Sequence, residues 1–131
     1  MILHVEDDYD DAFFVRRAFE LASERYTFHR VEDGQGAIDY LKGAGLYADR
    51  ERWPRPDAVL LDLKLPIKSG FDVLEWARSR LEYKDLPVIV LTSSNQPEDV
   101  QRAMELGATS YLNKSVSSQN VIQMLEELVK D

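Results

Sequence analysis

Five short apolar runs, each followed by a stretch of helical periodicity, restrict what this sequence can fold into. The runs are residues 2–5 (ILHV), 26–31 (YTFHRV), 57–61 (DAVLL), 87–91 (PVIVL) and 109–113 (TSYLN). Amphipathic segments lie between and after them. Residues 8–24 set Phe14, Val15, Ala18, Leu21 and Ala22 on one helical face. Residues 32–45 (EDGQGAIDYLKGAG) read as a turn and a short helix with Ala37, Ile38 and Leu41 inward. Residues 69–81 are amphipathic through Phe71, Val73, Leu74 and Ala77. In residues 96–107, Pro97 suits a first helical turn and Gly107 a C-terminal stop. The last helix begins near residue 117, with Val121, Ile122, Leu125, Leu128 and Val129 inward. Runs such as VLL and VIVL are apolar on both sides, as central parallel strands are. Strict alternation therefore predicts an α/β fold: a doubly wound, five-stranded parallel sheet with helices on both faces. Such sheets bind their ligands at the carboxyl ends of the strands.

The residues at those ends are unusually polar. The first strand runs into Glu6, Asp7 and Asp8, and the third into Asp62. The fourth ends in Thr92-Ser93-Ser94 and the fifth in Asn113-Lys114-Ser115. The sheet would crowd Glu6, Asp7 and Asp62 together, and three uncompensated carboxylates would not stay ionised. A divalent cation is the simple remedy, and all-oxygen ligands in an open cleft favour Mg²⁺. Lys114 adds a second positive charge. Asp8, Asp10 and Asp11 are assigned instead to a helix start, where negative charge opposes the dipole. Asp62 has no such explanation, because it leads into LKLP and ends the most apolar strand.

The rest of the chain narrows the function. Its 131 residues suit one domain and one core, spanning 1–131. A net charge of −8 argues against a nucleic-acid surface, which would need a basic face. No apolar run approaches the roughly 20 residues of a membrane span. The strand-like, soon acidic N-terminus is not a signal peptide. The absence of cysteine rules out disulfides and thiolate metal sites. A cytoplasmic protein is expected. Asp33–Ala37 has two glycines but not the dinucleotide fingerprint. His4 is expected to be a satisfied core histidine, and His29 has no evident partner. Phe13 falls off the inward face of the first helix. Residues 43–56 are long for a helix–strand connection and carry Trp53 and two prolines, so an ordered surface loop with an interaction role is expected there.

The stretches VEDD, LLDLKLPIKSG, VLTSS and YLNKS together resemble the receiver domain of two-component response regulators, over the whole chain. The long loop before the third strand, and KS in place of KP, are similar to the single-domain subgroup found beside phytochrome-type histidine kinases. The resemblance implies a flavodoxin-like strand order, 2-1-3-4-5. It implies that Asp62 takes a phosphoryl group from a kinase phosphohistidine. Asp7 and Asp62 would bind Mg²⁺ directly, Glu6 mainly through water, and the Lys64 carbonyl would be a further ligand. Thr92 and Lys114 would contact phosphoryl oxygens, and Tyr111 would be the switching aromatic. The partners implied are a cognate, phytochrome-like sensor kinase and a downstream protein. A homodimer through the fourth helix, fifth strand and fifth helix is a further expectation. For Met124, beside the inward stripe of the last helix, an interface residue and a core filler are equally open readings. Four positions depart from the family pattern: Glu6 for the commoner Asp, a cationic Lys64, Ser69 for an acid, and Ser115 for a proline.

Three alternatives remain: a phosphorelay intermediate, a degenerate receiver-like binding module, and an aspartyl-phosphate phosphatase. The phosphatases typically carry a second acid two residues after the nucleophile, where this chain has Lys64. The complete acid set argues against a degenerate site.

Overall fold

All five apolar runs form strands in the structure, a computed structural model that describes residues 1–22, 26–94, 96–114 and 118–129. The strands are β1 (Ile2–Val5), β2 (Phe28–Val31), β3 (Ala58–Leu61), β4 (Val88–Thr92) and β5 (Ser110–Asn113). They are parallel, in the order β2-β1-β3-β4-β5. The helices are α1 (Tyr9–Ala22), α2 (Gly34–Lys42), α3 (Gly70–Arg78), α4 (Pro97–Glu105) and α5 (Ser118–Leu128). Side chains alternate across the sheet. Leu3, Val5, Val59, Leu61 and Val90 pack against α2, α3 and α4. Ile2, Leu60, Ile89 and Leu91 pack against α1 and α5.

Register sets the position of the site. Val5 pairs with Leu61, so the next residues, Glu6 and Asp62, emerge side by side. Thr92 pairs with Asn113, which brings Lys114 to the same edge.

The inward face of α1 differs from the expected one. Ala12 and Phe19 are buried and Val15 is half-buried, whereas Phe14 and Leu21 are 68% and 74% exposed. The apolar residues of this helix form two overlapping stripes. The ring of Phe19 selects between them by packing on Phe28 at 4.9 Å and Tyr26 at 5.7 Å. The side chain of Ala22 lies outside the described residues. On α5, Val121, Ile122 and Leu125 are buried as expected, and Met124 is half-buried against the same core cluster. The packing thus favours the core-filling role of Met124.

The loop over residues 43–56 is ordered by contacts to the body of the protein. Trp53 packs against His29 at 5.0 Å and Tyr47 at 5.4 Å. The Tyr40 hydroxyl donates to the Pro54 carbonyl at 2.9 Å, and Arg50 donates to the carbonyls of Leu41 and Trp53. Its Trp therefore faces inward, and His29 gains the aromatic partners that the sequence did not reveal. His4 is buried, and burial, with the charges of Lys114 and Arg30 behind it, pushes its imidazole down to about 4. It sits in the core, as expected, against Phe28 in an edge-to-face contact at 6.4 Å.

Two glycines allow the helices to close around the loop that follows Asp62. A Cβ on Gly70 would lie 2.2 Å from the Asp62 carbonyl oxygen, and one on Gly34 would lie 2.0 Å from that of Lys68. Between them the Lys68 N–H donates to the Pro66 carbonyl at 2.8 Å, closing a three-residue turn centred on Ile67. Ile67 has φ +69° and is 78% exposed. A β-branched residue with positive φ is strained, by about 1–3 kcal/mol. Asn tolerates this region better, so Ile67→Asn is expected to raise stability by about 1 kcal/mol. A thermal melt that is unchanged or lower would show that the turn holds no such strain.

Candidate functional site

The site lies at the carboxyl ends of β1, β3, β4 and β5. Asp62 is buried, being 6% exposed, at the end of the central strand β3. Its Oδ1 accepts from the Lys64 N–H at 3.3 Å, and its Oδ2 accepts from the Lys114 Nζ at 3.1 Å. Glu6 is 1% exposed; its Oε1 lies 2.7 Å from the Lys114 Nζ, and its Oε2 accepts from the Asp8 N–H at 3.2 Å. Asp7 is exposed and has no hydrogen-bond or ion-pair partner among the described residues. Carboxylate oxygens of Glu6, Asp7 and Asp62 lie within 4.8 Å of one another.

The Lys114 ammonium lies within 3.1 Å of the carboxylates of Glu6, Asp11 and Asp62. Burial pushes the Glu6 carboxyl up, against the opposing pull of its Lys114 hydrogen bond. For Lys114, burial pulls down, but hydrogen bonds to Asp11 and Glu6 outweigh it and hold the ammonium above its usual range. The oxygen-only donor set fits a hard divalent cation. Within that set Asp7 is open, whereas both oxygens of Asp62 and both oxygens of Glu6 already face protein donors.

Thr92 is fully buried, and its Oγ1 accepts from the Ser94 N–H at 3.4 Å. Its carbonyl accepts from the Lys114 N–H at 2.8 Å. The half-buried Tyr111 donates its hydroxyl to the Ser94 carbonyl. The Ser94 Oγ in turn donates to Asp99 on α4. Lys64 is exposed, so only its backbone is held at the site. The Lys114–Ser115 peptide bond lies outside the described residues.

Sequence reasoning missed two residues. Ser94 links Thr92 and Tyr111, which its place among three hydroxyl residues did not single out. Asp11, assigned to the helix start alone, also lies 2.8 Å from the Lys114 Nζ. The Asp8 side chain does cap the helix, accepting from the Asp11 N–H at 3.1 Å.

The sequence pattern of the response regulator receiver domain matches residues 2–126. This chain belongs to that family. The receiver is 34% identical over 126 residues to response regulator Rcp1 of Synechocystis, covering 96% of this chain and 84% of that protein. A solved Mn²⁺-bound form of Rcp1 superposes with a TM-score of 0.77 at 34% identity, over 97% of this chain and 89% of that one. The phosphorylated cyanobacterial phytochrome response regulator RcpA gives a TM-score of 0.83 at 34% identity, over 98% and 91% of the two chains. The bacteriophytochrome response regulator RtBRR gives 0.85 at 36% identity, over 99% and 78%. Among the described residues of the receiver, no helix is long and apolar enough to cross a membrane.

Proposed function

We propose that this receiver is a phosphoacceptor switch in which Asp62 takes a phosphoryl group from a histidine kinase. The carrying observation is a buried carboxylate, Asp62, with an ammonium 3.1 Å away, beside an acid pair at one sheet edge. The phosphorus–nitrogen bond of a phosphohistidine breaks as an Asp62 oxygen forms the new phosphorus–oxygen bond, and the electron pair stays with the imidazole. Such a transfer requires positioning and charge neutralisation above all. Asp7 and Asp62 would hold Mg²⁺ directly, with the Lys64 carbonyl, while Glu6 would act through water. The bound cation would offset negative charge on the transferring group. Lys114 meets one phosphoryl oxygen and the Thr92 hydroxyl another.

Thr92 and Tyr111 both hold Ser94, so movement of the Thr92 hydroxyl toward a phosphoryl group is passed to Tyr111. That couples the site to the α4–β5–α5 face, where a downstream protein would read the state. A homodimer through this face would have less apolar surface to use, because Met124 packs on the core. A phytochrome-type sensor kinase is the proposed phosphodonor, supported by the likeness to RcpA and RtBRR.

Receivers are not enzymes in the usual sense, so self-phosphorylation from a small donor is the direct test. Incubation with acetyl phosphate and Mg²⁺ is expected to give a single phosphoryl adduct by intact mass, lost when the metal is chelated. An unmodified protein, also inert to a panel of autophosphorylated histidine kinases, would leave a degenerate receiver as the function.

A further inference from the structure

We propose that Asp11 is a positioning residue for Lys114, acting as an electrostatic brake on its engagement with a phosphoryl group. The proposal rests on the phosphoacceptor reading of Asp62. The Lys114 Nζ lies 2.7 Å from Glu6, 2.8 Å from Asp11 and 3.1 Å from Asp62. An ammonium has three protons to donate, and here three carboxylates take them. A phosphoryl oxygen must therefore compete for a donor that is already committed.

The three competitors are not equivalent. Glu6 is 1% exposed, and stripping its cation would leave a buried carboxylate unpaired. Asp62 is the residue modified. The Asp11 side chain is 43% exposed, so water can replace Lys114 there. Asp11 and Lys114 both line a cleft of about 180 Å³ together with Phe14 on α1 and Val121 on α5. The pair can thus separate without unpacking the core. Until it separates, Asp11 diverts one Lys114 donor and places a negative charge beside an ammonium that must meet an anion. Removing that charge leaves Lys114 still anchored by Glu6.

The probe is beryllofluoride with Mg²⁺, an analogue of a phosphoryl group on a carboxylate, titrated by calorimetry into the whole chain. Asp11→Asn is expected to bind it about three- to tenfold more tightly than the wild type, the range expected for losing one charged hydrogen bond from a partly exposed pair. The gain should shrink at high salt, where exposed charges are screened. Asp11→Glu restores the carboxylate and should return toward wild-type affinity. Asp10→Asn removes the same charge from an exposed position in the same helical turn and should leave the affinity unchanged. A residue that only supports the start of α1 would change the melting temperature without this pattern. Equal or weaker binding by Asp11→Asn, or an equal gain in Asp10→Asn, overturns the brake while the phosphoacceptor reading stands. If neither wild type nor Asp11→Asn binds beryllofluoride, the phosphoacceptor reading fails and the brake with it.

Discussion

Asp62→Asn should take up no phosphoryl group from acetyl phosphate or from any kinase, and should remain folded. The amide has nearly the shape of the carboxylate but no nucleophilic oxygen pair to attack phosphorus. The fold should tolerate the change for two reasons. Lys114 keeps Glu6 and Asp11 as acceptors when Asp62 loses its charge. The substitution also removes one of three carboxylates whose oxygens crowd within 4.8 Å, which relieves repulsion. The metal-free melting temperature is therefore expected to be equal or higher, while the adduct seen on the wild type disappears. Intact mass and a thermal melt on the same preparations check both halves. An adduct of wild-type yield on Asp62→Asn would move the acceptor to another residue, and with it the role of every group around Lys114.

Most of this arrangement was legible because the chemistry sits on the most regular part of the fold. Once five parallel strands are recognised, Glu6, Asp7, Asp62, Thr92 and Lys114 fall at one edge by topology, whatever the helices do. What was not legible depends on rotation and reach. Helix α1 carries two apolar stripes, and only the packing of Phe19 on Phe28 decides that Phe14 and Leu21 face solvent. Asp11 had a sufficient local explanation as an acid in a first helical turn. Its pairing with Lys114, far away in sequence, depends on how α1 lies over the sheet. His29 and Trp53 meet through the loop that follows α2, and no periodicity reports such a contact. Ile67 runs against local preference: its positive φ sits at the centre of the turn that the Lys68 N–H closes on the Pro66 carbonyl.

Asp7→Asn should weaken Mg²⁺ binding far more than Glu6→Gln, and the two should affect stability in opposite directions. Asp7 is exposed and has no protein partner among the described residues, so its carboxylate is open to a cation. Both Glu6 oxygens are held, one by Lys114 at 2.7 Å and one by the Asp8 N–H at 3.2 Å, which leaves this side chain to act through water. Losing a charge from direct contact costs more than the ~1.4 kcal/mol of a tenfold change, so a loss beyond about tenfold is expected for Asp7→Asn. A smaller loss is expected for Glu6→Gln. Without metal the order reverses. Asp7→Asn removes repulsion and should melt no lower than the wild type. Glu6→Gln removes the charge that pairs with Lys114 and turns an amide N–H₂ toward one of two donors. That leaves a buried polar contact unmade, at a cost of about 1–3 kcal/mol. Calorimetric titration with Mg²⁺ and thermal melts in chelator, on both variants, separate the two roles. Equal losses of affinity would mean that Glu6 also reaches the ion directly, which requires it to release Lys114 or the Asp8 N–H when the metal binds.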